Sequence, residues 1–147
     1  MELRMKKQLA LIALPVILAA CTSNGDASVV TKEDLQHHHW ILTQVDGQNY
    51  VKPAHSKHPS IEVGEKLTVN GFAGCNGYFG QGELKDGQFR VENMGMTMMM
   101  CSDEMMDTEQ VMSDALGEWS DVTLTKDTLT LKNDKHQVTF TLRDWVN

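Results

Sequence analysis

The chain has 147 residues, a formal net charge of −7 and 41% apolar residues, which suits one globular domain with a sizeable core. The acidic balance argues against nucleic acid as a partner and against docking on anionic headgroups, because both require a basic face. No internal repeat or long linker points to a second domain.

The N-terminus reads MELRMKKQLALIALPVILAACTSNGDASVV. Arg4, Lys6 and Lys7 precede an apolar run from Leu9 to Ala20. A run of that length is too short to span a bilayer, which takes roughly 20 apolar residues, and right for the apolar part of a signal peptide. It ends in Leu18-Ala19-Ala20-Cys21, which resembles a bacterial lipobox. The expectation is that residues 1–20 are removed and that the Cys21 thiol carries the lipid that holds the protein to a membrane. Thr22 follows the cysteine where an aspartate would favour retention at the inner membrane, so the expected location is the outer membrane, facing the periplasm. Residues 21–30 then form a small, polar tether, and residues 31–147 the folded domain.

Within the domain, Thr31-Lys32-Glu33-Asp34 has the form of a helix start with Thr31 as N-cap. Trp40 to Val45 predicts a strand ending at the turn dipeptide Asp46-Gly47. Lys52 to Ser60, with Pro53 and Pro59, reads as a loop. From Ile61 the period is two: Ile61 and Val63, Leu67 and Val69, Tyr78 to Leu84, then Phe89 and Val91 after Asp86-Gly87. Val122 and Leu124 pair naturally with Leu129 and Leu131, and Val138, Phe140 and Leu142 alternate with polar residues. Such alternation marks strands with one face in a core and one in water. Asp103 to Trp119 breaks the rhythm, because Met105, Met112 and Leu116 recur at helical spacing. Ser102 or Asp103 caps its start and Gly117 ends it. The fold class is therefore α+β: a strongly bent antiparallel sheet, or a partly closed β-barrel, with one main helix.

Two stretches carry the candidate chemistry. Besides Cys21, the cysteines are Cys75 and Cys101. An even pair in an oxidising compartment reads most simply as a disulfide, contributing about 3–4 kcal/mol on chain-entropy grounds. A metal-binding thiol pair is the competing reading. The second stretch is NMGMTMMMCSDEMM, from Asn93 to Met106, half methionine. On a strand, Met94, Met96, Met98 and Met100 share one face, with Thr97, Met99 and Cys101 on the other. Four thioethers on a face suit a soft ion such as Cu(I), with His37, His38 and His39 as further donors. The competing reading, and the one favoured from sequence, is that these methionines fill irregular core space. No spacing typical of a zinc site is present.

These residues together resemble the META/HslJ domain family. The likeness runs from about Leu35 to Asn147 and rests on the aromatic strand HHHWILTQVDG, on Gly74-Cys75-Asn76 within GFAGCNGYFGQGEL, on Thr97-x-Met99-x-Cys101, and on the closing Leu129-Thr130-Leu131. The resemblance implies a barrel-like antiparallel sheet with a helix, similar to the pilot lipoproteins of type III secretion. It also implies a heat-inducible envelope lipoprotein linked to novobiocin resistance, with no enzymatic activity and no cofactor. Gly74, Asn76, Thr97 and Met99 match the family motifs; Met94, Met96, Met98 and Met100 match no required position. Asn76 and Thr97 flank the expected Cys75–Cys101 bridge and are expected to bond backbone there.

The functional expectation is a non-catalytic lipoprotein that supports envelope integrity under heat or drug stress through contacts with envelope proteins. The alternative is a periplasmic copper-binding protein using the methionine-rich strand. An enzyme ranks below both, since no nucleophile–base order or phosphate-binding loop stands out. A small apolar ligand inside the barrel rests on fold analogy alone.

Overall fold

The computed structural model describes residues 29–144. The expected leader (residues 1–20), Cys21 and the expected tether up to residue 28 lie outside the described residues, as do residues 145–147. The first element is a single helical turn, α1 (Lys32–Leu35). The Thr31 hydroxyl accepts from the Asp34 amide and the Asp34 carboxylate accepts from the Thr31 amide, a reciprocal cap that lets so short a helix persist. Its Leu35 is buried in the core.

Nine strands follow: β1 (His38–Val45), β2 (Gln48–Asn49), β3 (Ser60–Val63), β4 (Thr68–Phe72), β5 (Gly77–Lys85), β6 (Gln88–Met96), β7 (Ser120–Leu124), β8 (Thr128–Lys132) and β9 (Gln137–Leu142). From β3 to β9 each strand pairs antiparallel with the next. β1 then pairs with β3 along one edge, Trp40 opposite Ile61, and with β9 along the other, Trp40 opposite Leu142. The sheet thereby closes into an eight-stranded barrel, and β2 merely extends the first hairpin. The bent sheet or partly closed barrel expected from the alternation is thus a closed barrel.

The turns obey their residues. In Asp46-Gly47 and Asp86-Gly87 both residues have positive φ, between 49° and 79°, as the tight hairpins of twisted strands require. Val122 lies opposite Leu131 and Leu124 opposite Leu129, the register that the apolar pattern predicts. Inward positions alternate along the wall: Trp40 and Leu42, Ile61 and Val63, Leu129 and Leu131, Val138 and Phe140 are all buried. The main helix, α2 (Asp103–Gly117), connects β6 to β7 and adds Met112, Ala115 and Leu116 to the same core.

The methionine stretch departs from the expected strand. β6 ends at Met96, so Met94, Met96, Met98 and Met100 do not form one continuous face. The cause lies in the partner. β5 begins at Gly77, which takes the last ladder bond, from the Thr97 amide, at 3.0 Å. Beyond it the chain meets a turn instead of a strand. The ladder is already irregular here, with a register shift between Phe79 and Gln81 and a positive φ at Asn93. Met94 and Met96 pack partly against the core, as core filling requires, whereas Met98, Met99 and Met100 are 94%, 57% and 88% exposed. The core-filling expectation therefore fails for those three.

Candidate functional site

The site is the junction of three pieces: the turn between β4 and β5, the segment leaving β6, and the first half of α2. In the turn, the Ala73 amide donates to the Asn76 carbonyl at 2.9 Å. Gly74 adopts φ 126°, a conformation that side chains disfavour. A Cβ there would stand 3.0 Å from the Met105 carbonyl oxygen and from the Thr108 side chain, so the glycine lets the turn lie flat on α2.

Asn76, 2% exposed, clamps the junction. Its Oδ1 accepts from the Met99 amide at 2.7 Å and from the Thr97 hydroxyl at 2.9 Å. Its Nδ2 donates to the Met99 carbonyl at 3.1 Å and to Glu109 Oε1 at 3.1 Å. Both donor hydrogens and two acceptor positions of the amide are thus used. The Asn76 backbone amide donates to Glu109 Oε2 at 2.7 Å. Thr97 closes the ring, since its oxygen also accepts from the Gly77 amide at 3.2 Å. The amide side chain imitates a strand edge: it satisfies both backbone groups of Met99 where pairing has stopped.

Cys75 and Cys101 form a disulfide across this clamp, with Cα atoms 5.8 Å apart, inside the normal range. That replaces the competing reading of a metal-binding thiol pair, because bridged sulfurs are not thiolates. The structure therefore brings together Gly74, Cys75, Asn76, Thr97, Met99 and Cys101, six positions spread over two motifs. Cys21 lies outside the described residues. The histidines stand elsewhere: His38 Nδ1 is 2.8 Å from Asp144 and His39 Nδ1 is 2.9 Å from the Arg143 carbonyl, and none of His37, His38 and His39 lines the methionine recess.

Glu109 is the residue that sequence reasoning missed. It is buried on α2 and meets both the backbone and the side chain of Asn76. A signal was present: with Met105, Met112 and Leu116 it falls on one helical stripe, so a carboxylate interrupts an otherwise apolar face. An acid at such a position needs a partner.

Outside the clamp, a recess of about 320 Å³ opens beside the methionines. Met96, Met98, Met99, Met100 and Met106 line it together with Asn76, Thr97 and Glu109. On another face Arg90 stacks over the Trp119 ring at 4.5 Å and pairs with Glu83 and Glu92. Tyr78, opposite Met96, is fully buried; burial pushes its phenol far above the usual range, and its hydroxyl donates to the Ser60 carbonyl at 2.9 Å. Among the described residues, no group of three or more His, Cys, Asp or Glu is gathered as a metal site, and no helix is long and apolar enough to cross a membrane.

The sequence profile of the META domain matches residues 33–145, nearly the whole described chain. The chain belongs to the META domain family. Of the residues that carry the resemblance, Gly74, Cys75, Asn76, Thr97, Met99 and Cys101 are gathered at this junction. Heat shock protein HslJ of Escherichia coli (strain K12) is 38% identical over 144 residues, covering 97% of this chain and all of the relative. A solved NMR structure of a 34% identical protein superposes with a TM-score of 0.69, covering 80% of this chain and 99% of that one. A second NMR structure, of a protein from Burkholderia xenovorans, gives a TM-score of 0.64 at 20% identity, covering 95% and 97%, and speaks to the fold alone.

Proposed function

We propose that this META-domain protein is a non-catalytic lipoprotein, anchored in the outer membrane through Cys21 and facing the periplasm, that supports envelope integrity under heat stress and limits novobiocin entry. The observation that carries this reading is the 38% identity, over the full length of the relative, to a protein named for heat shock. The positive start, short apolar run and Leu18-Ala19-Ala20-Cys21 support the anchor. The Cys75–Cys101 bridge suits an oxidising compartment. A structural role fits the junction, where Asn76, Thr97 and Glu109 are engaged with one another and with backbone, leaving no obvious base or nucleophile. Partners are other envelope proteins.

The reading is tested by comparing cells with and without the protein for novobiocin uptake, alongside fractionation of a Cys21→Ala variant. Faster uptake on loss, and an unprocessed or misplaced Cys21→Ala precursor, are expected. Unchanged uptake together with normal fractionation of the variant would refute it.

A second reading, soft-metal binding, is favoured by one observation. Met98, Met99 and Met100 stand in solvent where burial would stabilise each by about 1.5–3 kcal/mol.

A further inference from the structure

We infer that the recess lined by Met96, Met98, Met100 and Met106 binds one Cu(I) ion through thioether sulfur; this rests on the soft-metal reading and gives it a ligand set. The recess draws on two elements. Met96 to Met100 come from the segment leaving β6, and Met106 from the first turns of α2. The lining methionines therefore come from two elements rather than from neighbouring sequence alone.

The platform under them is fixed. Asn76 holds the amide and the carbonyl of Met99, and the disulfide anchors Cys101 one residue beyond Met100. Met98 and Met100 flank the held residue, and their side chains project into solvent. A site whose backbone is already ordered loses less entropy when ligands close on an ion.

The donor set selects the metal. Thioethers favour Cu(I), whereas zinc, calcium and magnesium call for imidazole, thiolate or several oxygens. Among the described residues no such group of harder donors is assembled, and Cys75 and Cys101 are bridged. Glu109 lines the recess, but Asn76 occupies both of its oxygens. Its carboxylate oxygens are hard donors, which suit other ions better than Cu(I).

One consequence separates this site from a histidine site. Thioethers carry no proton near neutrality, so binding should not change between pH 7 and pH 5. A site built on imidazole nitrogen would weaken at the lower pH, because a protonated ring does not bind a metal.

The test is an anaerobic titration of the full chain, disulfide intact, with Cu(I) supplied as its bicinchoninate complex. One equivalent should bind at both pH values. Met98→Leu/Met100→Leu should weaken binding at least tenfold, and Met94→Leu should not. Leucine keeps these exposed positions apolar, so folding is checked by an unchanged circular dichroism spectrum. Equal binding by the double variant, or loss of binding at pH 5, would overturn this ligand set and leave soft-metal binding at another place in the chain. No binding by the unaltered chain would overturn both.

Discussion

The core end of α2 and the segment Thr97–Cys101 treat methionine in opposite ways. Met112 is 0% exposed and packs with Ala115 and Leu116 inside the barrel. Met98 and Met100, at the other region, project almost wholly into water. The difference follows from how each backbone is satisfied. In α2 the helix satisfies its own peptide groups, so the side chains are free to turn toward the core. At the junction the ladder has ended, and Asn76 and the disulfide take its place. That arrangement holds the main chain against the barrel and leaves the side chains at positions 98 and 100 outside.

The comparison can be sharpened by truncating one methionine from each region. Met112→Ala should lose about 2–5 kcal/mol, because it leaves a cavity in a closed core. Met98→Ala should stay within about 0.5 kcal/mol of the unaltered protein. Urea unfolding of the two variants gives both numbers, and equal losses would erase the distinction between the regions.

The next effect concerns the junction's covalent tie. Removing the bridge with Cys75→Ala/Cys101→Ala should cost about 3 kcal/mol through the freedom returned to the unfolded chain. Thermal unfolding in oxidised buffer checks it, and an unchanged midpoint would mean that the bridge does not constrain the chain.

The smallest effect lies in the turn between β1 and β2. Asp46 is held below the usual carboxylate range, first by the Gln137 amide and then by the His136 ring. A depressed folded pKa contributes stability that is present above the ordinary carboxylate pKa and lost as pH falls through the folded value. The stability difference between the unaltered protein and Asp46→Asn should therefore narrow below about pH 4. A difference that stays constant from pH 6 to pH 2 would remove Asp46 from the acid response.

Much of the barrel was legible because local rules determine it. Alternation placed Val122 opposite Leu131, and Asp-Gly pairs placed two turns. Barrel closure was legible only in part, as a bent sheet or partly closed barrel, because the β1–β9 ladder joins strands about a hundred residues apart and carries an irregularity between Leu42 and Gln44. The cysteine pair could be read from its number and its motifs. The reach of Asn76 to Met99 could only be expected in outline, as a polar side chain bonding backbone near the bridge. The methionines misled for a physical reason: their period of two continues past Met96, but the partner strand does not. A side-chain pattern describes a strand only as far as a neighbour exists to pair with it.

The most direct test of the junction is amide hydrogen exchange at Met99 in the oxidised full chain and in Asn76→Ala. If Asn76 stands in for the missing strand edge, the Met99 amide is protected in the unaltered protein and exchanges freely in the variant, while core amides such as that of Leu131 stay protected in both. A Met99 amide that exchanges at the unprotected rate in the unaltered protein would contradict the clamp, and with it the fixed platform on which the exposed methionines stand.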